Sequence, residues 1–219
     1  MFKHDLIDFT PLNRVDGADR LYETPSGSYP SVTTVLDKTK DKTHLIEWQE
    51  RVGAEEAHRV KSMAASRGTG MHDICERFVL NQELNLRDEM PIPVNLFKQI
   101  KPVLLERVNN IRAVEAQLYS DYLKVAGTTD LIAEFDGKLS VIDYKTSKKP
   151  KRESWIEDYY LQSSIYAIAF EERTGIPINQ IVILIANEEV DKASVFISTR
   201  KKWQAKAVER IEEYYRMTA

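Results

Sequence analysis

Apolar residues recur along this chain in two rhythms, and the change from one to the other near residue 111 divides it. From Lys42 to Ser62, Leu45, Trp48 and Val52 stand at i, i+3 and i+7 among charges, which predicts a helix. Arg67-Gly68-Thr69-Gly70 is expected to interrupt it. A second helix then carries the stripe Met71, Ile74, Cys75 and Phe78, with His72 and Glu76 as an i, i+4 pair beside the stripe. Residues 81–91 read as a polar loop. Val94, Phe97, Ile100, Leu104, Leu105 and Val108 predict a third helix, kinked near Pro102.

From Arg112 to Ser120 the period is two. Val114, Ala116 and Leu118 share one face and Glu115, Gln117 and Tyr119 the other, as in a half-buried strand. The stretch from Gly127 to Lys145 follows, where two runs rich in Val, Ile, Leu and Phe flank Asp136-Gly137. Asp-Gly between apolar runs is a strong signal for a two-residue hairpin turn. If Phe135 faces Lys138, counting outward brings Asp130 opposite Asp143, and the alternation returns Lys145 to the same face. Opposed residues of an antiparallel pair have Cβ atoms about 4.5–5.5 Å apart, and like charges there destabilise the sheet. Lys145 offsets part of that repulsion. A divalent, oxygen-seeking cation, Mg2+ or Mn2+, fills the remaining carboxylate lone pairs.

Beyond the hairpin lies a basic turn with Lys148, Lys149, Lys151 and Arg152, either a solvated charge run or a track for a phosphate backbone. Ser154 is expected to cap a helix running to about Arg173, ended by Gly175 and Pro177. Gln162 and Tyr166 share one of its faces. The nearly all-apolar run from Ile181 to Ile185 predicts a strand covered on both sides, reached from the hairpin by a right-handed crossover. Ser194 to Ser198 adds a last strand. Thr199 caps a final helix with the stripe Trp203, Ala207, Ile211 and Tyr214. Before all of this, residues 1–28 read as a covering arm of loops with a short hairpin around Leu21-Tyr22. Ser31 caps a short helix, where it and Thr33 either serve the cap alone or also hold a phosphate. The sum is an α/β chain: a central mixed β-sheet flanked by helices, one domain over 1–219, with an arm and helices in 1–111 and an αβ core in 112–219.

Composition narrows the chemistry. With 42% hydrophobic and 30% charged residues the chain can bury a core, and a net charge of −3 excludes a global basic field, so any nucleic-acid contact is a local groove. The single cysteine, Cys75, excludes a disulfide, a cysteine zinc site and an iron–sulfur cluster. No run is long and apolar enough for a membrane span. Residues 1–14 lack both a secretory h-region and an Arg-rich transit character, so the expectation is a protein that stays in the compartment where it is made.

Asp-x-Lys alone is weak as a string, since Asp136-Gly137-Lys138 repeats it in the turn. Its placement on the strand opposite Asp130, after Gly127 and ahead of a helix with Gln162-x-x-x-Tyr166, resembles the PD-(D/E)xK nucleases of RecB type. More narrowly, Tyr29 to Leu36, His72 and Gly137 to Pro150 resemble the branch of mitochondrial genome maintenance exonucleases with their phage and bacterial relatives; with no visible import sequence, the resemblance implies the bacterial or phage side and cytoplasmic action in the bacterium or phage-infected host. The resemblance implies a restriction-endonuclease-like core and metal-dependent cleavage of DNA, often at single-stranded ends, in replication, recombination or repair, with proteins of those processes as partners. It implies Mg2+ or Mn2+ held by His72, Asp130, Asp143 and the main-chain carbonyl of Tyr144. Lys145 then orients or activates the attacking water, its ammonium disfavoured by the cation, and Gln162 and Tyr166 position the backbone or nucleophile. Glu115 is a ligand, a group supporting one, or a solvated strand residue. Cleavage of flaps by an endonuclease is an alternative, and a non-catalytic DNA-binding module a further one that the intact Asp130, Asp143 and Lys145 disfavour.

Overall fold

In the computed structural model, which describes residues 1–219, the predicted hairpin is the centre of a five-stranded sheet. Strands β4 (Val108–Ser120), β5 (Val125–Phe135) and β6 (Lys138–Ser147) form an antiparallel meander, and Phe135 pairs with Lys138 across Asp136-Gly137. Helix α5 (Glu157–Thr174) leads from β6 to β7 (Gln180–Asn187), which lies parallel to β6, and β8 (Ser194–Thr199) closes the order β4-β5-β6-β7-β8. The sheet is therefore mixed, with β7 buried on both faces as its unbroken apolar run requires.

Alternation along the strands feeds two cores. Leu131, Ala133, Phe135, Ile142 and Tyr144 face helices α3 (Ala54–Val79) and α4 (Pro91–Arg107). Ile132 and Val141 face α5, the short α1 (Val32–Lys38) and the C-terminal α6 (Arg200–Thr218). Gly175, in the left-handed conformation, ends α5 as expected.

Several boundaries differ from the sequence reading. The first long helix breaks at Gly53, with φ of 83°, into α2 (Thr43–Val52) and α3; Arg67-Gly68-Thr69-Gly70 is no interruption and lies inside the 26 residues of α3. Its glycines permit close approach: a Cβ on Gly70 would meet Pro93 Cγ of α4 at 2.8 Å, and one on Gly68 would lie 3.7 Å from Thr146 Oγ1 of β6. Leu105 is 56% exposed and outside the α4 stripe. Ser154 does not cap α5; it sits in a 3-10 turn, Glu153–Trp155, and α5 starts after Ile156 without a side-chain cap. Thr199 likewise precedes α6 without a capping bond. Residues 13–30 form a second sheet rather than one hairpin, β1 (Asn13–Asp16), β2 (Arg20–Thr24) and β3 (Gly27–Pro30), because Tyr22 and Tyr29 pack together against Ala126 of β5.

Candidate active site

Three neighbouring strands bring one acid each to the same rank. Val114 pairs with Leu131 and Ala116 with Thr129, so Glu115 stands opposite Asp130; Leu131 pairs with Ile142, so the next step leads to Asp143. The β5–β6 ladder ends at Leu131–Ile142, and instead of a strand partner the Tyr144 N–H donates to Asp130 Oδ2 at 2.7 Å. Asp130 thus lies in the cleft where the strands part, and α3 reaches it there. His72 Nδ1 is 3.5 Å from Asp130 Oδ1 and 3.9 Å from Glu115 Oε1, and the His72 ring sits edge-on to Tyr144.

Glu115 is held by an irregular backbone, with φ of 45°, a left-handed value uncommon outside glycine. His72, Glu115 and Asp130 each offer a ligand atom, all within 4.8 Å of one another. Asp143 is outside that group. It faces Lys145, whose Nζ lies 2.5 Å from each of its carboxylate oxygens, an ion pair that engages both. Asp130 and Asp143 lie one step past the Leu131–Ile142 pair, Asp130 with His72 and Glu115 nearest to it and Asp143 with Lys145.

Electrostatically the four groups act on one another. Burial disfavours a charged His72, but Asp130 and Glu115 outweigh it and raise the imidazole to about 10. Burial raises Asp130, yet His72, Lys145 and the Tyr144 N–H bring it below the usual carboxylate range. Burial pushes Asp143 up to about 6 against the pull of Lys145. Lys145 itself is disfavoured as a cation by burial, but Asp143 and Asp130 more than compensate and hold its pKa above the ordinary value. The lysine is thus kept charged.

One imidazole and the carboxylates of Glu115 and Asp130, with that of Asp143 adjacent, form a hard N/O donor set that fits a divalent, oxygen-seeking cation. The lone Cys75, buried on α3 with its thiol pushed up by burial, is not part of it.

Gln162 and Tyr166 meet on α5, Gln162 Nε2 lying 3.4 Å from Tyr166 Oη. Tyr166 is buried against Gly127, where a Cβ would come within 2.7 Å of its Oη. A residue missed in the sequence joins them: the Tyr159 ring lies 5.1 Å from Lys145 Nζ. Its signal is the spacing 159, 162, 166 on one helix face. Lys148 and Lys149 are exposed just past β6, and Lys151 is half-buried. Ser31 is buried, its Oγ accepting from Thr34 N at 3.0 Å and bonded to the Thr33 and Thr34 hydroxyls, so its oxygen is spent on the cap; Thr33 is exposed.

The family model described as the PD-(D/E)XK nuclease superfamily matches residues 35–218, well over half the chain. The chain belongs to the PD-(D/E)XK nuclease superfamily. Among its relatives is the mitochondrial genome maintenance exonuclease 1 of Homo sapiens, 35% identical over 130 residues, which cover 56% of this chain and 38% of that protein. The Mus musculus protein of the same name is 27% identical over 85% of this chain and 59% of its own length, and that of Xenopus tropicalis 25% identical over 86% and 58%. The chain thus spans between 38% and 59% of the length of the relatives it matches. A solved structure of an exonuclease candidate from Eubacterium rectale aligns over 67% of this chain and 65% of that one, at 10% identity and a TM-score of 0.41. No helix of this PD-(D/E)XK chain is long and apolar enough to cross a membrane.

Proposed function

We propose that this PD-(D/E)XK nuclease is a Mg2+- or Mn2+-dependent DNA exonuclease that prefers single-stranded ends and acts in replication, recombination or repair. The observation that carries the reading is the convergence of His72, Glu115 and Asp130 beside the Asp143–Lys145 pair at the split between β5 and β6. His72, Asp130 and Glu115 would hold the cation, with Asp143 and the main-chain carbonyl of Tyr144. Such a cation supplies positive charge against the charge that builds on a phosphodiester under attack, and makes water more acidic.

The protein's own groups do the rest. Lys145, fixed by Asp143 and by the face of Tyr159, would donate to and orient the attacking water and, once neutral, would accept its proton. Gln162 and Tyr166 position the sugar-phosphate backbone or the nucleophile. Lys148, Lys149 and Lys151 follow the strand as it leaves, and the exposed Thr33 offers a further polar contact.

The test is digestion of end-labelled linear and circular single-stranded DNA, and of duplex DNA, with Mg2+, Mn2+ or EDTA, alongside Asp143→Ala. Metal-dependent loss of linear single strands, intact circles and an inactive variant are expected. Cleavage in EDTA or by the variant would overturn the assignment, and cleavage of circles would replace the exonuclease with an endonuclease.

A further inference from the structure

The chain before β1 runs along β4, the outer strand of the five-stranded sheet. Asp5 N–H donates to Ile111 O at 2.9 Å and Ile7 N–H to Arg112 O at 2.8 Å. The arm then bows away, and its next tie to β4 is Leu12 N–H to Gln117 Oε1 at 2.5 Å. Within the bow lies a cavity of about 590 Å³, walled by Leu6, Ile7, Phe9 and Pro11 on the arm side and by Ala116 and Glu115 on the strand. That volume falls in the range of roughly 300–1,000 Å³ typical of small-ligand sites.

Glu115 belongs both to this wall and to the cluster with His72 and Asp130. Whatever fills the cavity therefore adjoins the reacting centre. The charged lining residues are Asp8 and Glu115, both acidic, and neither lysine nor arginine contributes. A phosphate is repelled from such walls, whereas a neutral heterocycle finds apolar faces. Polar recognition is also provided. Gln117 spends its carbonyl oxygen on Leu12, leaving its amide N–H groups to donate, and the cavity reaches Thr128, whose hydroxyl is shared with Tyr22 at 3.3 Å.

We infer that this cavity is a nucleobase pocket that takes the base of the nucleotide flanking the scissile phosphate, so that the cut requires a base unpaired and turned out of its stack. The inference rests on the nuclease reading above and adds a specificity site to it. The arm is thus a substrate-binding element, and Ala116 sits where a larger side chain fills the space.

The test uses single-stranded oligonucleotides with one abasic nucleotide placed at successive positions, digested by the full chain with Mn2+. Digestion is expected to pause, by about tenfold in rate at subsaturating substrate, at the one bond that would need the missing base in the pocket. Ala116→Phe is expected to slow intact DNA at every bond and to abolish the difference between intact and abasic positions. In EDTA, quenching of a 2-aminopurine at the pocket position is expected for the wild type and not for the variant. Digestion that passes abasic positions without a pause, or a folded Ala116→Phe protein that still discriminates, would overturn the pocket and leave the nuclease reading standing. Failure of the wild type to cleave intact DNA with any cation would overturn both.

Discussion

At Glu115 the backbone holds a left-handed conformation, φ 45°, in the middle of a strand. Such a conformation costs a non-glycine residue roughly 1–3 kcal/mol and persists where surrounding structure demands it. Here it is offset by bringing a carboxylate to His72 and Asp130. Glu115→Gly is therefore expected to retain the wild-type melting temperature in EDTA and to lose most of the upward shift produced by Mn2+, read by thermal denaturation. His72 gives a pH signature. Its pKa of about 10 means that the cation-free imidazole is protonated at neutral pH, and a ligand imidazole must be neutral. Cation binding should release protons and strengthen as pH rises from 6 towards 9, measured by calorimetry in buffers of different ionisation enthalpy. The sign for cation-free stability is opposite: the His72–Asp130 contribution is full below pH 6.5 and is lost as pH rises through about 10. Lys145→Ala should lower kcat by about 100-fold or more, the scale of a lost proton-handling group, with single-strand binding retained in a filter or anisotropy assay.

Between elements, contacts are set by what glycine leaves out. Gly127 on β5 lets the buried Tyr166 ring of α5 lie against the strand, and a Cβ there would fall 2.7 Å from Oη and 3.0 Å from Cε1. Gly127→Ala should destabilise by roughly 1–3 kcal/mol, an overpacking cost. The melting temperature then falls by roughly 2–4 °C for each kcal/mol. Adding Tyr166→Phe, which removes the closest atom, should restore part of the loss. The basic turn after β6 carries a different expectation. Replacing Lys148, Lys149 and Lys151 by alanine should lower the slope of log K against log salt for single strands by about 0.7 per phosphate contact removed. These effects explain which elements the sequence revealed. The hairpin was legible because Asp-Gly fixes its register locally. The continuity of α3 was not, because Gly68 and Gly70 read as breakers while their role is to admit Thr146 and Pro93. Glu115 stayed ambiguous for a similar reason. The turn from β4 to β5 carries no Asx-Gly signal, so the register aligning Glu115 with Asp130 is set by tertiary packing.

At the scale of the whole molecule, the two faces of one sheet contribute to one centre. The α3 side supplies His72 and the α5 side Tyr159, Gln162 and Tyr166, and they converge only because β5 and β6 part after Leu131–Ile142. Alternation along a strand predicts that Asp130 and Asp143 share a face, but not where the ladder opens or that Glu115 joins His72 beside Asp130. The mixed sheet, its flanking helices and the superfamily were all legible from motif order. The grouping of Glu115 with His72 and the cavity behind the arm required three dimensions. The central claim is that this grouping is a divalent-cation site. Titration of Mn2+ followed by electron paramagnetic resonance, with the wild type, His72→Ala and Asp130→Asn, tests it most directly. The account predicts saturable binding to the wild type that both substitutions weaken by at least about tenfold. Equal binding by all three proteins would contradict it.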